Sequence, residues 1–182
     1  MKTKRLFTLL LALLVTACAL AGCSESAPGG AFASFTANTL DGGVFDQESI
    51  KSKDLTIVNF WGMFCGPCRA EMPDLAAYAK ALPENVQLIT ICIDALDDPE
   101  GTKEFLRSCG YEGVTLLDGD DGFNALVGSV QLFPTTIFVN GKGEIVGEKI
   151  EGGRPDLAEV YTAAVNKALA AEGKAEISVA VR

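Results

Sequence analysis

Two cysteines separated by two residues, Cys65-Gly66-Pro67-Cys68, are the part of this chain best suited to do chemistry. That spacing lets one helical turn bring both sulfurs within bonding distance. The run before them, Leu55 to Phe60, is apolar and β-branched and reads as a buried strand; Gly66 to Leu82 reads as a helix. Cys65 then falls at a helix N-terminus, where free N–H groups and the macrodipole favour negative charge. A thiolate is stabilised there, and the thiolate is the nucleophile. Cys68 lies under the first turn, placed to attack a mixed disulfide on Cys65 and release the reduced substrate. Pro67 suits that turn, because its missing N–H is not needed.

Other chemistries fit poorly. Structural zinc takes about four ligands, and this sequence has no second CxxC and no histidine. Without histidine the Ser–His and Cys–His dyads are also excluded. No metal site is expected. No GxGxxG fingerprint marks a nicotinamide site, so no cofactor is expected either. A purely structural disulfide would close too small a ring to stabilise much.

The elements that must position the pair can be read in order. Phe35 to Thr39 and Gly43 to Phe45 form a hairpin around Asp41-Gly42. The Ala-rich helix after Cys65 contains Pro73, which should kink it. Val86 to Ile93 is a second buried strand. Pro99 to Ser108 is a helix capped by Asp97 or Asp98 and stopped by Gly110. A short strand, Val114 to Leu117, and a short helix, Gly122 to Val127, come next. Thr135 to Val139 and Glu144 to Lys149 are strands joined through Asn140-Gly141, a strong hairpin signal. The last helix starts near Pro155, carries an apolar stripe from Leu157 to Leu169 and ends at Gly173. The alternation β-α-β-α-β-α, closed by an antiparallel pair, implies an α/β fold with a central mixed sheet and helices on both faces. Ile177, Val179 and Val181 alternate in the tail, which is either an extra strand or unstructured.

The N-terminus reads as an export leader. Lys2, Lys4 and Arg5 precede an apolar run, Leu6 to Leu20, that is short for a spanning helix. It ends in Leu20-Ala21-Gly22-Cys23, which resembles a bacterial lipoprotein box with Cys23 as the lipidated first residue. A diacylglycerol and an N-acyl chain would give stable two-signal anchoring. The expected organisation is a signal peptide over 1–22, a tether over 23–33, a folded domain over 34–171 and a tail over 172–182. The ten linker-like residues 24–33 reach roughly 17 Å as flexible chain. Losing the leader takes the formal charge from −9 to −12, because it removes three cations. So acidic a chain is a poor ligand for nucleic acid or for an anionic lipid surface.

The segment Phe60-Trp61-Gly62-Met63-Phe64-Cys65-Gly66-Pro67-Cys68-Arg69-Ala70-Glu71-Met72-Pro73 resembles the active-site signature of the thioredoxin superfamily. It looks most like the membrane-tethered TlpA/ResA branch, whose members act in cytochrome c maturation and related reductive steps. Gln131-Leu132-Phe133-Pro134-Thr135-Thr136 resembles the loop carrying that family's cis-proline, and the Asn140-Gly141 hairpin matches the family's next element. The resemblance covers residues 32–171 and implies a thioredoxin fold with an N-terminal β-hairpin extension. It implies Cys65 as attacking thiol, Cys68 as resolving thiol and Cys65–Cys68 as a redox-active disulfide. It implies a cis Pro134 against that disulfide and a substrate strand pairing with the backbone of Phe133. Trp61, Gly66 and Pro67 would complete the substrate-facing surface, with Trp61 shielding the site or simply packing the core. Glu71, in the branch's CxxCxxE pattern, would handle protons; the other reading is an acid in an early helical turn, favoured by the dipole. Support for the proton role is that Asn59, which cannot titrate, stands where cytosolic thioredoxins carry a buried acid.

The expectation is an extracytoplasmic thiol–disulfide oxidoreductase, lipid-anchored to a bacterial membrane and monomeric. It would reduce disulfide-containing exported proteins and be recharged by a thiol-type electron donor in the membrane. The alternatives are a disulfide-forming oxidase on the same scaffold and a thioredoxin-fold lipoprotein that only binds. Cys92 and Cys109 are expected to be buried thiols, with a second disulfide as the other reading.

Overall fold

The chain lays its fold around one strand, β3 (Leu55–Trp61), which is buried at every position. The computed structural model describes Phe32 and residues 35–181. The expected leader, the lipidation site Cys23 and residues 24–31 lie outside the described residues. The other strands are β1 (Thr36–Thr39), β2 (Val44–Asp46), β4 (Val86–Cys92), β5 (Thr115–Gly119), β6 (Thr135–Asn140) and β7 (Ile145–Glu151). The helices are α1 (Gln47–Lys51), α2 (Gly66–Ala81), α3 (Pro99–Ser108), α4 (Asp121–Gly128) and α5 (Leu157–Ala171). The seven strands run in the order β2-β1-β5-β4-β3-β6-β7. β3 pairs parallel with β4 and antiparallel with β6, and β4 pairs parallel with β5. This is the expected mixed sheet, with the hairpin β1–β2 added antiparallel at the β5 edge.

Side-chain alternation along β3 sorts the core into two layers. Leu55, Ile57 and Trp61 face one way and pack with Met72, Leu75 and Tyr78 of α2 and Tyr161 and Val165 of α5. Val58 and Phe60 face the other way and pack with Phe35, Ile50, Phe123 and Leu126. Each fully buried Leu, Ile or Phe contributes roughly 1.5–3 kcal/mol. Asn59 falls in the first set, so a polar side chain is delivered beneath α2. Thr136 stands directly opposite it on β6.

The helices begin and end where their caps are. Asp98, one of the two expected caps, accepts from Gly101 N–H at 2.9 Å and opens α3. Gly110, at φ +74°, closes it: Tyr111 N–H reaches Leu106 C=O and Gly110 N–H reaches Arg107 C=O. Gly173 repeats the arrangement after α5, with Lys174 N–H on Leu169 C=O and Gly173 N–H on Ala170 C=O. Pro73 does not end α2, which continues to Ala81.

Four details differ from the sequence reading or add to it. α1 has no counterpart in that reading; five residues are too few to show a period, although Asp46 caps Glu48 and Ser49. The second hairpin does not turn on an Asn-Gly pair. Asn140 is the last residue of β6, and the loop Gly141-Lys142-Gly143 turns with its positive φ at Gly143. Asn140 accepts from Lys142 and Glu144 N–H, so it shapes the loop with its side chain. α5 starts at Leu157, two residues past Pro155; Asp156 is its N-cap residue, but its carboxylate is taken by Arg154 rather than by the helix N–H groups. The tail is neither a strand nor free: Asn166 exchanges two hydrogen bonds with the backbone of Ile177, and Ile177 and Val179 pack on the core.

Candidate active site

β3 ends at Trp61, and the next three residues carry the chain into α2. Cys65 is the N-cap of α2. Its N–H donates to Gly62 C=O at 3.0 Å, while Met63 and Phe64 N–H both donate to the Asp94 carboxylate, at 2.8 and 3.1 Å. Every backbone donor from Met63 to Cys65 is therefore engaged. Cys65 and Cys68 are joined as a disulfide, with Cα atoms 5.3 Å apart. Cys65 Sγ accepts from Cys68 N–H at 3.2 Å, which puts that sulfur on the free donors of the first helical turn. Cys65 is 7% exposed and Cys68 1%, so Cys65 is the sulfur open to attack.

The Phe133–Pro134 peptide is cis, as the resemblance implies. Pro134 is buried and Phe133 half-buried. Phe133 meets Phe64 edge to face, with ring centroids 6.1 Å apart. Gly66 and Pro67 are exposed on the first turn of α2. Trp61 is not on this surface. It is fully buried against Phe105, at 5.7 Å between centroids, in the same core cluster as Cys65 and Cys68. The core-packing reading of Trp61 is the one the geometry supports. The exposed aromatic beside the disulfide is Phe64.

Glu71 is 6% exposed, one turn below Cys68. Its Oε2 accepts from Arg154 N–H at 3.1 Å, and its Oε1 lies 3.5 Å from Asn59 Nδ2. Asn59 Nδ2 also donates to Thr136 Oγ1 at 3.0 Å, and Thr136 shares a 2.6 Å hydrogen bond with the Tyr161 hydroxyl. Asn59 Oδ1 has no partner among the described residues. Burial pushes the Glu71 carboxyl above its ordinary range, against the pull of the Arg154 N–H and Asn59. The geometry thus gives a disulfide at a helix N-terminus with a buried, proton-hungry carboxyl below it. Sequence reading found these residues but missed Asp94 and Arg154, which hold the loop and the carboxylate. Cys92 is a buried thiol and Cys109 a half-buried one, and no bond joins them.

Comparison with known proteins decides the family. The Redoxin family model matches residues 27–165. The chain belongs to the Redoxin family. Within it the chain is TlpA/ResA-like and is a thiol–disulfide oxidoreductase. It is 33% identical over 140 residues to the thiol:disulfide interchange protein DsbE homolog of Paracoccus denitrificans, covering 74% of this chain and 73% of that one. It is 27% identical over 159 residues to the thiol-disulfide oxidoreductase ResA of Bacillus subtilis, covering 80% and 84%. Among solved structures, a secreted Mycobacterium tuberculosis disulfide oxidoreductase homologous to E. coli DsbE superposes with a TM-score of 0.58 at 27% identity, over 71% of this chain and 95% of that one.

Proposed function

We propose that this protein reduces disulfides in exported proteins on the outer side of a bacterial membrane, where Cys23 anchors it by lipid. The observation that carries this reading is the Cys65–Cys68 disulfide at the N-terminus of α2, with its more exposed sulfur at the N-cap. In the reduced protein, Cys65 thiolate attacks a client disulfide, forming a mixed disulfide and releasing one client thiolate. Cys68 then attacks the Cys65 sulfur, and the second client thiolate leaves. The client gains two electrons and two protons, and the pair ends oxidised. A thiol-type donor in the membrane supplies two electrons to reset it.

Glu71 takes the Cys68 proton when that thiol must attack and returns one when the pair is reduced. A buried carboxyl with a raised affinity for protons suits both directions near neutrality. The backbone of Phe133, Pro134 and the exposed turn Gly66-Pro67 hold the client segment against the disulfide. Apocytochrome c is one client class that the resemblance to the TlpA/ResA branch implies.

Trapping tests this directly. Cys68→Ser removes the resolving thiol, so exported client proteins should accumulate as mixed disulfides on Cys65. Cys65→Ser should capture none and should lose insulin reduction. Equal capture by both variants would contradict the assigned roles.

A further inference from the structure

β4 ends at Cys92, which is in register with Trp61 at the end of β3. Two residues on, Asp94 lies half-buried beneath the loop that presents Cys65. Its Oδ1 accepts from Met63 N–H at 2.8 Å and its Oδ2 from Phe64 N–H at 3.1 Å. Cys92 Sγ donates to the same Oδ1 at 3.2 Å. Burial of the Cys92 thiol, together with the neighbouring carboxylate, holds it well above the usual range, so it stays protonated and stays a donor. Gly62 leaves the carboxylate its room, since a Cβ there would sit 3.2 Å from Asp94 Oδ1 and closer still to the Phe64 ring. Three donors therefore fix one carboxylate against the two residues that precede the attacking sulfur.

We infer that Asp94 is a positioning residue that also biases the Cys65–Cys68 pair toward its disulfide, and so toward donating electrons. The inference rests on exchange through Cys65 as proposed above. Bridging Met63 and Phe64, the carboxylate fixes the turn from which Cys65 enters α2. Its negative charge is held at the N–H of Phe64, the residue next to Cys65. A like charge so close opposes a Cys65 thiolate. It works against the helix N-terminus, which favours one. A reduced form whose thiolate is less favoured is a less stable reduced form, and its disulfide is the harder to reduce. The buried Cys92, which exchange through Cys65 does not use, has its place here as the third donor that orients Asp94.

The test is the equilibrium constant of the pair against glutathione, measured on the full chain in detergent. Asp94→Asn removes the charge and keeps the shape. It should move the constant about five- to tenfold toward the reduced form, tenfold being about 30 mV for a two-electron couple. Asp94→Ser should move it the same way, and Asp94→Glu, which keeps the charge, less. A merely structural role would not shift the constant of a folded variant. Constants within twofold of wild type for folded Asp94→Asn or Asp94→Ser would overturn the inference. Failure of both to fold would overturn it too, by making Asp94 purely structural. A wild-type chain that exchanges nothing with glutathione would instead sink the exchange reading on which the inference stands.

Discussion

Glu71 is where the chemistry of this site meets the stability of the fold. Its carboxyl is buried, and burial outweighs the hydrogen bonds from Arg154 and Asn59, so the folded protein holds its proton more tightly than the unfolded chain does. Below 4.5, the ordinary glutamate value, both states carry the proton and the group does not affect stability. As pH rises from there through the raised value, the unfolded chain ionises first and stability is lost. Glu71→Gln should therefore flatten the fall in Tm from pH 4.5 upward and melt above wild type once that window is passed. Thermal melts across the range check this, and an unchanged slope would contradict the burial argument. The same variant should slow client reduction by roughly tenfold or more, a modest general acid–base contribution. Stopped-flow reduction of insulin checks that. The carboxyl itself was legible in the CxxCxxE spacing. The Arg154 N–H that holds it was not, because 83 residues separate donor from acceptor and a backbone group leaves no mark in a sequence.

At the scale of elements, strand and helix positions were written locally and their joints were not. β-branched runs marked β3, β4 and β6, and glycines marked the ends of α3 and α5, because each signal lies within a few residues of its effect. Gly110 has φ +74°, so Gly110→Ala should cost about 1–2 kcal/mol, read as a lower denaturation midpoint. Asp94 shows the opposite case. It is one of three acids in the turn Asp94 to Asp98, and nothing in its spacing separates it from Asp97 or from Asp98, the cap of α3. Its bond to Met63 spans 31 residues and exists only because β3 and β4 run parallel in register. The tail was undecidable for a related reason: its alternation suits a strand, but its backbone partner is the Asn166 side chain of α5 rather than a strand edge. Asn166→Ala should free that segment, seen as faster amide exchange around Ile177, at a cost of about 1–2 kcal/mol for two hydrogen bonds.

The whole molecule is an acidic redox domain whose reactive disulfide sits at one end of a mixed sheet. Among the described residues no helix is long and apolar enough to cross a membrane. The membrane link proposed for this protein is the lipid on Cys23, and Cys23→Ala should move the protein from the membrane fraction to the soluble extracytoplasmic fraction while insulin reduction by the released domain is kept. Retention in the membrane would show another anchor. The direction of electron flow is set by the reduction potential of the Cys65–Cys68 pair, and measuring that potential tests it most directly. Equilibrated against dithiothreitol and glutathione buffers, the pair should titrate near or below the thioredoxin value of about −270 mV, as a reductase recharged by a membrane donor requires. A potential near −120 mV, that of a strong oxidant, would contradict the account and make disulfide formation the activity of this site.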